Sequence, residues 1–276
     1  MLFLRNYAME RFLERLSASK YRNCFILKGG MLISAMVGID SRATMDIDTT
    51  LRNYPLNCES AEQIVRQIAD VEIDDKISFV IKKTEEIMED SEYQGVRLSL
   101  DAYLDKTRIP LKIDISTGDV ITPCEISFSY QLMFENRTIP LLAYPPETVL
   151  AEKLETILSR GEANTRLRDF YDVYILQRED FVVTPDALCH ALLATCRKRG
   201  HEDLLHTYAS ILNEVRQSGA MRAQWMKYQT DFDYAAGITW DTVLDTVETL
   251  CMKTLDDHAF GDELPQEESQ FEMHLL

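Results

Sequence analysis

The sequence predicts an α/β (α+β) protein in which a mixed sheet flanked by helices is followed by a helical domain. Strand-length apolar segments alternate with helical ones in the first half of the chain, and helical periodicity dominates after Pro145-Pro146. The chain carries no Lys or Arg beyond Lys253, whereas acidic residues continue. We therefore expect a sheet domain over 1–144, a helical domain over 145–260 and an acidic flexible tail over 261–276.

The individual elements follow from apolar spacing and from the residues that end them. Period-2 alternation and short apolar runs indicate strands, whereas apolar residues three and four apart indicate helices. In the first half we expect helices over 2–19, 31–37 and 59–70, strands over 24–27, 45–51, 77–83, 96–104 and 110–116, and a short edge strand over 139–143. In the second half we expect helices over 147–159, 166–177, 185–199, 204–217, 220–227 and 241–255.

Composition places the chain among globular proteins that bury a core. It has 276 residues, of which 46% are apolar and 27% charged. The net charge of −17 argues against a broad nucleic-acid surface but leaves room for a small basic cleft. The six cysteines show no C-x-x-C pair, so we expect free thiols and a cytoplasmic protein. No apolar run approaches the ~18 residues that span a bilayer, so we expect no membrane association.

Two acidic residues lie two apart in the strand predicted over 45–51. Asp46 and Asp48 should project from the same face, because side chains alternate along a strand. Adjacent carboxylates repel, and a divalent cation such as Mg²⁺ commonly offsets that repulsion. The alternative is an exposed strand end with two solvated acids.

A glycine pair precedes the acidic pair. Lys28-Gly29-Gly30 lies between an apolar strand and an apolar helix, where glycines let the backbone approach a phosphate and the helix start offers free N–H groups. The alternative is an ordinary tight turn. The eight-residue Walker pattern is missing, so the segment is not a P-loop.

A third acid, Asp114, lies in another apolar strand. An ionised carboxylate there needs a partner. Lys112 or Arg97 would provide one by ion pairing. If the strand of Asp114 lies beside that of Asp46 and Asp48, three carboxylates would instead converge on one or two metal ions.

Five short motifs, given at the end of this paragraph, resemble in type and order those of the AbiEii-type nucleotidyltransferases, which belong to the DNA polymerase β-like nucleotidyltransferase superfamily. The resemblance covers about residues 27–177. It implies a nucleotidyltransferase-type sheet and transfer of a nucleotide from an NTP with Mg²⁺ or Mn²⁺ to a tRNA or protein acceptor. It also implies a toxin of a type IV toxin–antitoxin or abortive-infection system, with a cognate antitoxin as partner. The motifs are Gly29-Gly30, Arg42 to Asp48, Lys112-Ile113-Asp114, Glu152-Lys153-Leu154 and Arg168-Asp169-Phe170-Tyr171-Asp172.

The same resemblance implies roles for individual residues. One departure from the superfamily is Met31, which follows Gly30 where a serine hydroxyl is common. Gly29 and Gly30 would cradle the triphosphate, Asp46 and Asp48 would bind metal, Asp114 would act as base or further ligand, Lys153, Arg42 and Arg168 would contact the nucleotide, and Asp169 or Asp172 would complete the catalytic set.

The later motifs also have simpler interpretations. Lys153 would then be a solvated or salt-bridged lysine, and Arg168 would pair with Asp172 one helical turn away. The basic cluster Arg197-Lys198-Arg199-Gly200-His201 either meets a helix dipole or contacts an RNA acceptor.

Two other functions remain open at this point. The overall acidity suits a small polycationic acceptor such as an aminoglycoside, and the missing serine suits a non-catalytic relative that binds a nucleotide or a partner without turnover.

Overall fold

The structure, a computed structural model, describes residues 2–88, 94–178 and 183–256. These residues form a seven-stranded mixed sheet with helices packed around it. The predicted tail over 261–276 lies outside these residues. The strands are β1 (Phe25–Lys28), β2 (Asp46–Leu51), β3 (Ile77–Met88), β4 (Gln94–Leu104), β5 (Thr107–Ser116), β6 (Ile126–Gln131) and β7 (Thr138–Ala143). The helices are α1 (Leu2–Ala18), α2 (Gly29–Val37), α3 (Cys58–Ala69), α4 (Pro146–Arg160), α5 (Leu167–Leu176), α6 (Pro185–Arg199), α7 (Leu204–Gln217), α8 (Gly219–Asp231) and α9 (Trp240–Leu255).

The strand order is β3-β4-β5-β2-β1-β7-β6, which places β2 at the centre of the sheet. Strand β2 runs parallel to β5 and antiparallel to β1, and in this register Asp48 lies opposite Asp114 on one side and Lys28 on the other. The acidic pair, the third acid and the residue before the glycine pair therefore meet in the middle of one sheet. This mixed α/β architecture confirms the predicted fold class.

Apolar faces explain the packing of this sheet. Val96, Leu98, Leu100 and Ala102 alternate along β4 and are all buried, as their period-2 spacing predicts. Helices α1 and α3 pack against each other and against the sheet, and α2 contacts α5 of the second half. The division near Pro145 stays a prediction.

The structure corrects two details of the sheet. Strand β6 was not predicted, although Ile126, Phe128 and Tyr130 alternate with polar residues in the manner of a strand with one buried side. Because β6 occupies the edge, the prediction of an edge strand at 139–143 was wrong: β7 pairs with β1 and with β6 and lies inside the sheet.

Two properties of the whole chain bear on its chemistry. All six cysteines are free thiols, as their spacing predicted. In the described part of the chain, no helix combines the length and the apolar character needed to cross a membrane.

Candidate active site

Three carboxylates from two neighbouring strands line one cleft. Asp46 and Asp48 project from the same face of β2, and Asp114 lies beside Asp48 on β5. The condition for a three-acid site, adjacency of the two strands, is therefore met.

Asp114 differs from the other two acids because it is already paired. Arg97 on β4 donates from Nε to Oδ1 at 2.8 Å and from Nη2 to Oδ2 at 2.6 Å. The pair is bidentate, and this geometry is the strong one for a guanidinium and a carboxylate. To bind a metal or accept a proton, Asp114 would first have to weaken its bond to Arg97. Asp114 therefore forms the predicted ion pair with Arg97 and also lies beside Asp48 on the neighbouring strand.

Asp46 and Asp48 have no such partner: no Lys or Arg of the described residues forms an ion pair with either. Burial and the charge of Asp114 raise the pKa of Asp48 to about 6. Burial likewise raises the pKa of Asp46. Two half-buried carboxylates without an ion-pair partner fit a hard divalent cation, which also takes water and phosphate oxygens as ligands.

No cluster within the described ranges 2–88, 94–178 and 183–256 brings three or more His, Cys, Asp or Glu side chains into an arrangement able to hold a metal ion. Metal binding by Asp46, Asp48 and Asp114 therefore stays a prediction.

The glycine pair forms the first turn of α2 and lies directly against Asp48. Gly29 has φ +63°, and a Cβ at this position would lie 2.3 Å from Asp48 Oδ2. The Gly30 N–H donates to the same oxygen at 3.3 Å. Lys28 precedes the helix without a side-chain cap, and Met31 is buried and has no hydroxyl to offer. With the Gly30 N–H bonded to Asp48, the remaining N–H groups of the first turn of α2 can take an anion beside the acidic pair.

The last two motifs meet in a buried charge network. Lys153 on α4 forms ion pairs with Asp169 and, at 3.3 Å, with Asp172 on α5. Burial alone would lower the pKa of Lys153, but these two carboxylates outweigh it and raise the pKa. The salt-bridged interpretation of Lys153 therefore holds, and both acids, rather than one of them, orient its ammonium.

Two arginines that were expected to contact the nucleotide are held by other groups. Arg42 is buried and donates to Asp172 at 2.6 and 3.2 Å, so the alternative pairing of Arg168 with Asp172 does not form. Arg168 instead lies 5.0 Å from the ring centroid of Phe232. Both arginines line the cleft, but Arg42 reaches it as part of the charge network.

A second charge network on the cleft wall was not predicted. Arg199 at the end of α6 forms ion pairs with Glu155 and, at 3.6 Å, with Glu152, both on α4. Glu155 also accepts or shares a hydrogen bond with His201 Nδ1 at 2.7 Å. Glu152, Glu155 and their spacing on one helix were visible in the sequence, but nothing local indicated that α6 ends against them.

The cleft is basic although the chain is acidic. Its volume is about 1590 Å³, and eleven of the 29 Lys and Arg residues line it, against seven of the 46 Asp and Glu residues. Helix α8 adds side chains that the sequence analysis missed, although their helical spacing places them on one face. These are Gln224, Lys227, Tyr228 and Asp231.

A family model described as "Nucleotidyl transferase AbiEii toxin, Type IV TA system" matches residues 11–246, a range that contains all five motifs. The chain belongs to the AbiEii nucleotidyltransferase family. Comparison with curated protein sequences finds no match.

Solved structures agree with the AbiEii assignment at the level of the fold. A protein of H. pylori described as a candidate nucleotidyltransferase superposes with a TM-score of 0.51 at 14% identity, covering 93% of this chain and 97% of that one. JHP933 from Helicobacter pylori superposes with a TM-score of 0.50 at 15% identity, covering 93% and 94% of the two chains. At this identity, the likeness concerns the fold alone.

Proposed function

We propose that this AbiEii family member transfers a nucleotide from an NTP to an acceptor in a reaction that depends on Mg²⁺ or Mn²⁺. The observation that carries the proposal is the pair Asp46 and Asp48, half-buried at the start of α2 in a cleft rich in cations and without an ion-pair partner among the described residues. The metal ions bound to a nucleoside triphosphate would offset the negative charge of Asp46 and Asp48. Its phosphates would be attracted by the cations that line the cleft.

The position of each residue in the cleft suggests its role in the proposed reaction. A divalent cation held by Asp46 and Asp48 would supply Lewis-acid stabilisation of the α-phosphate and of the leaving pyrophosphate. The N–H groups at the start of α2 bind phosphate oxygens. Lys153, fixed by Asp169 and Asp172, presents a positioned ammonium to the cleft, and Arg97 holds the Asp114 carboxylate in place beside Asp48.

The charge of the cleft favours a polyanionic acceptor, such as tRNA, over the polycationic one that overall acidity suggested. An excess of four positive charges among the lining residues would repel an aminoglycoside and attract phosphates. A protein acceptor remains compatible with this charge. The type IV toxin–antitoxin description of the family supports a toxic role and a cognate antitoxin as partner.

A transfer assay with labelled nucleotides tests the proposal. The protein is incubated with each α-labelled NTP, Mg²⁺ and pools of total cellular RNA or protein, and labelled products are separated. We expect labelling of one pool that stops with EDTA and falls at least about 100-fold in Asp46→Asn, because the substitution removes a charged metal ligand.

The control is Asp70→Asn, at an exposed acid that ends α3, which should label at the wild-type rate. Transfer that survives in Asp46→Asn, with a folded variant shown by thermal melting, would rule out the mechanism. Binding of NTP and Mg²⁺ without transfer to any pool would instead support a non-catalytic relative.

A further inference from the structure

A histidine on the cleft wall is held by a buried carboxylate. His201 Nδ1 lies 2.7 Å from Oε1 of Glu155, whose side chain is 2% exposed, whereas the His201 side chain is 44% exposed and lines the cleft. The opposite ring nitrogen, Nε2, makes no hydrogen bond within the described residues. A carboxylate on one nitrogen fixes both the orientation and the protonation of an imidazole and leaves the other nitrogen for a reacting group.

The backbone of His201 is also held in place, by the end of helix α6. Helix α6 ends at Gly200, whose φ of +68° and ψ of +29° reverse the chain, and the His201 N–H donates to the Cys196 carbonyl at 2.8 Å. This pattern is a Schellman-type helix end. The imidazole therefore starts from a fixed Cα and reaches a fixed carboxylate.

The His201–Glu155 pair shares its cleft with the glycine turn, and Arg199 and Glu152 lie between α6 and α4 in the same lining. Arg199 bridges Glu155 and Glu152. Burial raises the pKa of Glu152, and the charges of Lys28 and Arg199 both oppose this. Lys28, which directly precedes Gly29, thus lies near the carboxylate that Arg199 contacts. His201 lines the same cleft as Gly29 and Gly30 at the start of α2, where the proposed function places the triphosphate.

Nucleotidyl transfer creates a demand for a proton on the departing pyrophosphate. Pyrophosphate departs with a new negative charge on the oxygen that bridged the α- and β-phosphates, and a proton donor there lowers the barrier. His201 is the one histidine among the described residues that line the cleft, and its Nε2 makes no hydrogen bond to another described residue. Lys153 and Arg97, by contrast, are already bonded to carboxylates.

We propose that His201 is the general acid that protonates the leaving pyrophosphate, and that Glu155 is its positioning residue. This inference rests on the proposed function. The acceptor oxygen forms a bond to the α-phosphorus while the bond from that phosphorus to the bridging oxygen breaks. The electron pair stays on the bridging oxygen, which takes the proton from His201 Nε2. The acceptor hydroxyl loses its proton to solvent, and solvent water then reprotonates the ring.

Charged groups of α4 and α6 surround the His201 ring. Glu155 from α4 faces Nδ1, and Arg199 from α6 shares that carboxylate. Arg197 and Glu202, on either side of His201 in the chain, pair with each other at 3.7 Å.

Leaving-group chemistry separates a general acid from a structural histidine. Single-turnover transfer is measured for wild type, His201→Gln and Glu155→Gln with the natural NTP and with two analogues, whose β,γ-bridge is a methylene or a difluoromethylene. We expect His201→Gln to lower the rate about 100-fold with the natural NTP, with NTP affinity unchanged by calorimetry. The defect should be largest with the basic methylene leaving group and smallest with the acidic difluoromethylene one.

Three further measurements complete the test. The alkaline limb that His201 contributes to the pH–rate profile should disappear in His201→Gln, imidazole added to His201→Ala should restore part of the rate, and Glu155→Gln should lie between wild type and His201→Gln. His190→Gln, the same change at an exposed histidine of α6 outside the cleft, should leave the rate unchanged.

Two results overturn the inference. One is a wild-type rate in His201→Gln, and the other is a defect of equal size with every leaving group. If wild type transfers nothing to any pool, the proposed function fails and this inference fails with it, whereas an active wild type with an active His201→Gln removes this inference alone.

Discussion

Asp48 lies on the central strand with its carboxylate pressed against the backbone of Gly29 and beside Asp114. Burial is the largest cause that raises its pKa from 3.8 to about 6, and the charge of Asp114 adds to it. Because the folded protein binds this proton more tightly than the unfolded chain, stability falls as the pH rises from about 4 through 6. Above pH 6, the ionised group costs the fold about 3 kcal/mol.

We therefore expect Asp48→Asn to stabilise the protein at pH 7 in EDTA by up to about 3 kcal/mol and to have little effect near pH 4. Urea unfolding at the two pH values measures both changes. Added Mg²⁺ should stabilise wild type more than the variant, because the variant lacks one of the charged ligands. A destabilised Asp48→Asn at pH 7 would show that the carboxylate is held by contacts that outweigh its desolvation.

Local patterns predicted the residues of this site better than their partners. Alternation placed Asp46 and Asp48 on one face, and strand composition placed Asp114 in another strand, because both signals come from side chains a few positions apart. The partner of Asp172 is Arg42, 130 positions away in the chain. Nothing in helix α5 distinguishes this pairing from the nearer one with Arg168, since only the packing of α2 on α5 brings Arg42 there.

At the scale of elements, the junction of β1 and α2 determines how closely the Asp48 carboxylate can approach the start of α2. Gly29 adopts φ +63° at the first residue of α2, and a side chain there would overlap the Asp48 carboxylate. The sequence indicated a turn at this junction. The contact with Asp48 could not be predicted, because it depends on the register of β1 against β2.

Gly29→Ala should therefore lower transfer at least about 10-fold and destabilise the fold by about 1–2 kcal/mol or more, because alanine is strained at positive φ and its Cβ displaces Asp48. Gly237→Ala is the matched control: Gly237 has φ +78° and nothing within 4 Å of its Cβ position. It should lose stability but keep the wild-type transfer rate. Equal transfer rates in the two folded variants would mean that the close approach to Asp48 has no role in the reaction.

The element that the sequence did not predict, β6, shows the limit of local patterns in a different way. Its alternation was present, but the connection from β5 to β6 carries no helix, and β6 joins the sheet only through β7. The order of strands in the sheet is set by long-range pairing, which no single segment encodes. Hence the element types were largely predictable, and the position of 139–143 within the sheet was not.

At the scale of the molecule, charge is distributed unevenly. The chain carries −17 overall, yet the lining of the cleft has four more cations than acids. Acidic surfaces elsewhere repel phosphates and leave the cleft as the favourable place for them, so the same imbalance that argues against a broad nucleic-acid surface directs a polyanion to one site. Arg197 and Lys198 extend this positive lining at the end of α6.

Reversing these two charges tests whether the acceptor is a polyanion that lies along them. We expect Arg197→Glu/Lys198→Glu to weaken binding of a labelled RNA at least about 10-fold and to reduce the slope of log affinity against log salt by about 1.4, as two lost phosphate contacts of a single strand predict. NTP affinity by calorimetry should not change. The matched control, Lys82→Glu/Lys83→Glu, alters the net charge equally at exposed lysines of β3 outside the cleft. Because the two double variants carry the same total charge, equal loss of RNA binding in both would mean that net charge, rather than the cleft, governs acceptor binding.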